Sequence, residues 1–307
     1  MYYPYFRGKQ NELILIREQA ELISNSKIIP IIEPVKRNLS PLNRAIEQLD
    51  LFETEYILIV NPINGDFANN NSLILKNLHL YKKVIIGLII TAETTLNNIE
   101  DYLSNFNDYK IAILHQGFTD GKGLVNLIAN NMNVCKNIFV NTEQNKLYQK
   151  HFKSIGDRIL IRDAFKKTTN AHYAPEEHFS DLHITYDDEN MDGFGDFLIV
   201  GDEYSETGGP ARAIAIHLTF LKEVDDNNMY IKHYVSDRTE GVSDPGGKFL
   251  EALYKLVSDI NKNPLEFNTN ACDEYRKLLE NEHFPGLGVA KKLSMQHHIE
   301  IIARFLG

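Results

Sequence analysis

The stretch Val84-Ile-Ile-Gly-Leu-Ile-Ile90, followed by Thr91-Ala-Glu-Thr-Thr-Leu-Asn-Asn-Ile-Glu-Asp-Tyr-Leu-Ser-Asn-Phe106 and then Lys110-Ile-Ala-Ile-Leu114, decides the fold. Its first run is strand-length and apolar at consecutive positions, the pattern of a strand covered on both faces in a parallel sheet. The period then changes. Leu96, Ile99, Leu103 and Phe106 recur at three- and four-residue steps, which draws one apolar stripe down a helix. Thr91, ahead of Glu93 and Thr94-Thr95, offers oxygens suited to capping that helix. A second apolar run completes a strand, crossover helix and parallel strand.

The same unit repeats on either side. Lys27-Ile-Ile-Pro-Ile-Ile32, Tyr56-Ile-Leu-Ile-Val60, Asn137-Ile-Phe-Val140, Arg158-Ile-Leu-Ile161 and Phe197-Leu-Ile-Val200 are further apolar runs, each read as a strand. Helical spacing is read over 11–24 and 121–132, over 40–49 with Ser40-Pro41 as its start, and over 142–152 with Thr142 and Glu143 as its start. With Tyr2-Tyr3-Pro4-Tyr5-Phe6 as an additional strand, the count reaches eight by Val200, the arithmetic of a TIM-like (β/α)8 barrel over residues 1–205. An open doubly wound sheet uses the same local pattern, but no Gly-x-Gly-x-x-Gly turn follows an early strand. Residues 206–240 then read as a β-hairpin, with Ala213–Phe220 and Met229–Val235 about a polar turn. Residues 241–307 read as helices broken near Pro264 and Pro285-Gly286 and packed on the barrel, the last of them amphipathic over 289–306.

The 307 residues are 43% hydrophobic and 24% charged, which excludes collagen-like, disordered and disulfide-scaffold classes. A formal net charge of -10 makes broad nucleic-acid binding an unfavourable reading. Cys135 and Cys272 stand far apart with no Cys-x-x-Cys pairing, so a cysteine zinc site is unsupported. The start carries charges and Pro4 rather than an apolar run, and no run reaches the roughly 18–20 residues of a membrane span. The expectation is a cytoplasmic protein without a membrane partner.

In a parallel barrel the ligand site lies at the carboxyl ends of the strands, so the residues after each run are read in order. They are Arg7, Lys9, Glu33, Asn61, Thr91, His115, Asn141, Arg162, Asp163, Asp202 and Glu203. Glu33, Asp163, Asp202 and Glu203 together with His115 could hold a divalent metal ion, the one cofactor this reading offers, or serve as acid and base, with Glu33, Asp202 and Glu203 the leading candidates. Arg7, Lys9, Lys36, Arg37, Arg162, Lys166 and Lys167 would neutralise a phosphate or carboxylate at the rim, although pairing with neighbouring carboxylates explains them equally. His217 and His233 occupy comparable places in the two hairpin strands and could face each other, either as hydrogen-bonded structural groups, the commoner role of such a pair, or joining Asp202 or Glu203 in a metal or general-base group. Gly208-Gly209-Pro210 offers backbone amides to an anion without being a Walker loop. His297-His298 with Glu300 lies in the last helix without a His-Glu-x-x-His pattern, and no Gly-x-Ser-x-Gly elbow occurs.

Met1-Tyr-Tyr-Pro-Tyr-Phe-Arg-Gly-Lys-Gln10 with Glu12-Leu13, Ile32-Glu33-Pro34, Gly201-Asp-Glu-Tyr204 through Gly208-Gly209-Pro210 to Ile216-His217, and Pro285-Gly-Leu-Gly288 through His297-His298-Ile299 together resemble the Beta protein family of uncharacterised bacterial and phage proteins. The resemblance runs the length of the chain. It implies a barrel-like α/β fold and loci in mobile or defence-associated regions beside another gene. It carries over no catalytic residue, but it raises the rank of Arg7, Lys9, Glu33, Asp202, Glu203, His217 and His298, which lie within the matching motifs. The expectation is a barrel protein of an anti-phage defence or toxin-antitoxin-like module that binds a phosphate-bearing anion at its strand ends. On an enzymatic reading, metal-assisted hydrolysis or transfer follows, with His217 as acid or base and Asn61, His115, Asn141, Arg162, Asp163, His233 and His298 contributing to ligand binding. The alternatives are a non-catalytic scaffold docking a neighbour-encoded effector through its C-terminal helices, and a metabolic barrel enzyme acting on a small phosphate or carboxylate. Self-association is left open.

Overall fold

The computed structural model describes residues 1–141, 145–206 and 212–307. In chain order its strands are β1 (Tyr5–Phe6), β2 (Ile31–Ile32), β3 (Tyr56–Ile59), β4 (Val84–Ile90), β5 (Ile111–His115), β6 (Val134–Val140), β7 (Asp157–Arg162), β8 (Glu176–Ser180), β9 (Gly193–Asp196), β10 (Ala215–Lys222) and β11 (Asn228–Val235). The α-helices are α1 (Gln10–Glu18), α2 (Ala20–Asn25), α3 (Ser40–Leu51), α4 (Ser72–Asn77), α5 (Leu96–Asn105), α6 (Gly121–Ile128), α7 (Lys146–Lys150), α8 (Leu182–Thr185), α9 (Pro245–Lys262), α10 (Asn270–Glu280) and α11 (Leu287–Leu306).

Strands β1 to β7 and then β9 form one parallel sheet in that order. The residues ahead of β1 close it. Tyr2 bridges Ile28 on one side and Phe194 on the other. The Tyr3 N–H donates to the Phe194 carbonyl at 2.8 Å, and the Phe194 N–H to that of Met1 at 3.1 Å. The product is a TIM-like (β/α)8 barrel, as the repeat arithmetic predicts. Its interior is one apolar cluster in which Tyr3 and Tyr5, Ile29 and Ile31, Ile57 and Ile59, Ile85 and Ile89, Ala112 and Leu114, Ile138 and Val140, and Ile159 and Ile161 alternate with helix-facing neighbours. That parity fixes which residue at each strand end points into the mouth.

The eighth strand is not Phe197–Val200 but Gly193–Asp196, immediately before it. Gly195 explains why an apolar run marks the wrong place: a Cβ there would sit 2.2 Å from the Tyr3 carbonyl oxygen, so the close approach that shuts the barrel admits no side chain. Phe197 still joins the interior cluster, whereas 198–200 form a turn with Leu198 left-handed at φ 51°. Helix α5 starts later than Thr91. Thr95 caps it by accepting from the Asn98 N–H at 3.2 Å, while Asn98 Oδ1 accepts from the Thr95 N–H at 3.0 Å, a reciprocal capping pair. The helix read over 11–24 is two helices separated at Gln19, and α7 begins at Lys146 with Asn145 as its cap. Thr142 and Glu143 lie outside the described residues.

The chain divides into two compact units, Met1–Asp163 with Thr185–Phe197, and Ala164–Ile184 with Leu198–Gly307. The first is the barrel. The second is built on an antiparallel sheet of order β10-β11-β8, with Asp226 and Asn227 left-handed in the hairpin turn, a conformation these side chains tolerate. Ile214, Ile216, Leu218 and Phe220 pack against Phe249, Leu253 and Leu256 of α9, Tyr275 of α10 and Leu293 of α11. Helix α11 also meets β10 through polar groups: His297 Nε2 donates to the Thr219 carbonyl at 2.7 Å. No described helix is long and apolar enough to cross a membrane.

Candidate functional site

Interior parity brings Arg7, Glu33, Asn61 and Asp163 to the inner side of their strand ends. Glu33 is completely buried. Its carboxylate pairs with Arg7 Nη1 and accepts from the Tyr5 hydroxyl at 3.0 Å. It also accepts from the Ile63 N–H, the Asn64 N–H and Asn64 Nδ2, each at 3.1 Å. A carboxylate offers about four lone-pair sites, and five donor atoms converge on this one. The Arg7 guanidinium in turn lies over the rings of Tyr5 at 4.9 Å and Phe197 at 5.2 Å. This geometry makes the pair a strut tying β1, β2 and the loop after β3, with little capacity left on Glu33 for moving a substrate proton.

Asn61 is similarly spent on the frame. Its Nδ2 donates to the Ile89 carbonyl at 2.8 Å and its Oδ1 accepts from the Ile89 N–H at 2.9 Å, so the side chain extends the β3–β4 ladder. Asn141 is left-handed at φ 50°, and its Oδ1 accepts from the exposed Asp163's N–H at 2.9 Å. Lys9 is the N-cap residue of α1.

His115 and Arg162 have the opposite parity. His115 faces the helix layer, stacked on Phe139 with centroids 4.7 Å apart and hydrogen-bonded to Tyr148 Oη at 2.7 Å and Asn137 Oδ1 at 3.0 Å. Burial pushes its imidazole down to about 3, so it stays neutral. Arg162 pairs with Glu189 in the segment before β9. Both lie on the outer side of their strands and do not enter the mouth.

The second unit contains the better-formed site. Cross-strand pairing sets His217 of β10 opposite His233 of β11, as their equal offsets from the hairpin turn predict. Their Nδ1 atoms are 2.7 Å apart, and His233 Nε2 lies 3.2 Å from Oε1 of Glu177 on β8. Aromatic rings hold the imidazoles in place: Tyr173 stacks on His233 at 4.5 Å and meets His217 edge-on at 4.8 Å, and Phe165 meets His217 at 5.2 Å. Burial, with the nearby His233 and the Lys291 ammonium adding, pushes His217 down to about 3. Burial also lowers His233, against the opposing pull of Glu177.

His217 lines a cavity of about 400 Å³, within the range that encloses a small molecule. Phe165, Ile199, Val200, Ile214, Ile216 and Leu287 supply apolar wall, and Lys167, Thr168, Asn170, Lys291 and Ser294 the polar groups. Every lining residue belongs to the second unit. The carboxylate joined to the histidines is Glu177, not Asp202 or Glu203. Glu203 instead pairs with Lys167 at 2.8 Å, and Asp202 lies partly buried in the segment beginning at Gly201. His298 is fully buried on α11 and hydrogen-bonded to Thr219 Oγ1 at 2.9 Å, a contact that fastens helix to strand. Gly208-Gly209-Pro210 lies outside the described residues.

The histidine spacing favours a hydrogen bond over a shared metal. Two nitrogens bound to one tetrahedral zinc at about 2.0–2.1 Å stand about 3.3 Å apart, well beyond the separation seen here. Among the described residues, no group of three or more His, Cys, Asp or Glu is placed to hold a metal ion. The divalent cation considered from the sequence therefore has no ligand set among them. What the cavity offers is an imidazole base, two ammonium groups and apolar wall. No local pattern marks Glu177, because β8 is a short polar strand inserted between β7 and β9, far in sequence from the hairpin it joins.

The chain matches no family model and no curated protein. Among solved structures, a truncated form of 3-deoxy-D-arabino-heptulosonate 7-phosphate synthase from Thermotoga maritima is similar over 56% of this chain and 78% of that chain, at 12% identity and a TM-score of 0.32. A likeness this slight carries no argument about ligand or chemistry.

Proposed function

We propose that this barrel protein binds a small anionic ligand in the cavity of its second unit and acts on it by proton transfer at His217. The observation that carries the reading is the pairing of a neutral imidazole, its Nε2 without a hydrogen-bond partner among the described residues, with Lys167 and Lys291 in one apolar-walled cavity. An ammonium beside a base stabilises the negative charge that deprotonation creates, which suits hydrolysis or transfer at a phosphate or carboxylate centre. In the barrel unit, by contrast, Glu33 and Asn61 are committed to the frame.

The setting we propose is anti-phage defence, supported by the resemblance to the Beta protein family. Titration calorimetry with inorganic phosphate, followed by a panel of phosphate- and carboxylate-bearing metabolites, tests the binding. Lys167→Ala and Lys291→Ala should each weaken a bound anion about 5–10-fold, more so at low salt. Phage challenge tests the setting: His217→Asn should lose protection while remaining folded. Full protection by that variant, together with no anion bound by the wild type, would overturn the reading and leave the scaffold alternative.

A further inference from the structure

We infer that Glu177 and His233 are positioning residues that lock the tautomer of His217, forming a proton relay from the cavity to the partly exposed Glu177 carboxylate. The tautomer follows from donor and acceptor bookkeeping. A carboxylate only accepts, so the 3.2 Å contact to Glu177 Oε1 places a proton on His233 Nε2. A neutral His233 then has a bare Nδ1, and the 2.7 Å contact across the hairpin can be a hydrogen bond only if His217 carries its proton on Nδ1. That leaves His217 Nε2 as a lone pair. The opposite arrangement would set the His233 Nε2 lone pair against a carboxylate oxygen, two acceptors in contact.

The groups facing the pair all favour this state. Lys291 of α11 disfavours a second positive charge on His217, and Tyr173 and Phe165 hold both rings against flipping. Lys166 stands 3.3 Å from Glu177 Oε2 and occupies the oxygen that does not face His233. Glu177 keeps a quarter of its side chain exposed while the His233 side chain is almost wholly enclosed, so the chain of donors ends near water.

The catalytic consequence rests on the proposed function. His217 Nε2 takes a proton from the ligand, whose bonding electrons stay behind on the ligand. The Nδ1 proton of His217 passes to His233 Nδ1, and the Nε2 proton of His233 passes to Glu177, now a neutral acid. Running backwards, the same three transfers return the proton to the ligand. Charge and protons balance with no other reactant.

The test is long-range proton–nitrogen NMR on the whole protein labelled at histidine nitrogen, with His217→Asn and His233→Asn assigning the signals. The wild type should show His217 protonated at Nδ1 and His233 at Nε2. Glu177→Leu should convert this single state to a mixture with His217 Nε2–H present, and Glu177→Gln, which retains an oxygen acceptor, should restore much of it. A wild-type His217 carrying its proton on Nε2 overturns the inference, as does an unchanged tautomer in Glu177→Leu. If the tautomers are as stated but His217→Asn keeps anion binding and phage protection, the relay geometry survives and the proposed function falls.

Discussion

Replacing Glu33 by glutamine isolates the strut of the barrel mouth. The substitution keeps volume but exchanges a pure acceptor for one acceptor and one donor. All five atoms now pointing at the carboxylate donate to it, so a glutamine oxygen can satisfy only one side of the cluster. If it faces Ile63 and Asn64, its amide confronts Arg7 and Tyr5. Arg7 is 6% exposed and loses its carboxylate. Breaking a buried ion pair by removing one partner costs about 3–5 kcal/mol, which is roughly a hundred- to several-thousand-fold in the folded-to-unfolded ratio. Urea unfolding followed by far-UV circular dichroism and by tyrosine fluorescence measures it, the chain having no tryptophan. Adding Arg7→Met should recover roughly 2 kcal/mol, because the buried charge goes and the thioether can rest on Tyr5 and Phe197. Anion binding in the second unit should be unchanged. A loss below about 1 kcal/mol, or no recovery in the double variant, would refute the assignment of the pair as a strut.

Two further outcomes follow from burial and close approach. His115 has its imidazole depressed to about 3 from 6.5, so between those values the unfolded chain binds a proton that the folded chain refuses. Its contribution is complete above about pH 6.5 and is lost as the pH falls toward 3, at up to about 1.4 kcal/mol per unit. From pH 7 to 5, His115→Gln should therefore lose about 2 kcal/mol less stability than the wild type in urea titrations; parallel curves would contradict the neutral buried imidazole. Gly195→Ala places a carbon 2.2 Å from the Tyr3 carbonyl, so the β9 closure must shift, and melting should fall by several degrees while Gly246→Ala, with its nearest contact at 3.6 Å, moves it little. Equal melting of the two variants would show that the closure tolerates a side chain.

The legible parts of this molecule are those with a local physical signature. Val84–Ile90 announces a doubly covered strand through its unbroken apolar run, and the His217–His233 pair could be placed because an antiparallel hairpin makes equal offsets from the turn into neighbours. The eighth strand was obscured by the opposite cause. Gly193 and Gly195 are present because backbone and ring atoms of the first strand approach too closely for side chains, and the adjacent Phe197–Val200 looks more strand-like than the strand itself. His115 and Arg162 end their strands as the sequence predicts but face outward, since a side chain's direction depends on parity and not only on position along a strand. Glu177 had no local signature at all: its strand reads Glu-Glu-His-Phe-Ser, and only pairing with β11 gives it a role.

Polar strand ends are therefore an incomplete guide to chemistry, and the capacity left after folding is the better measure. Glu33 and Asn61 sit where a barrel enzyme would keep reactive groups, yet the Glu33 carboxylate is saturated by five donors and both ends of the Asn61 amide are bonded to the Ile89 backbone. His115 has both ring nitrogens engaged, as does His297, bonded to Thr219 and Thr269. His217 differs from these in one respect: a single nitrogen is committed, and the other belongs to a ring lining an open cavity with two lysines. Folding removes the freedom of most polar groups in order to satisfy them. A buried imidazole whose neighbours fix its tautomer but leave one lone pair unspent can still accept a proton from a molecule that is not part of the chain.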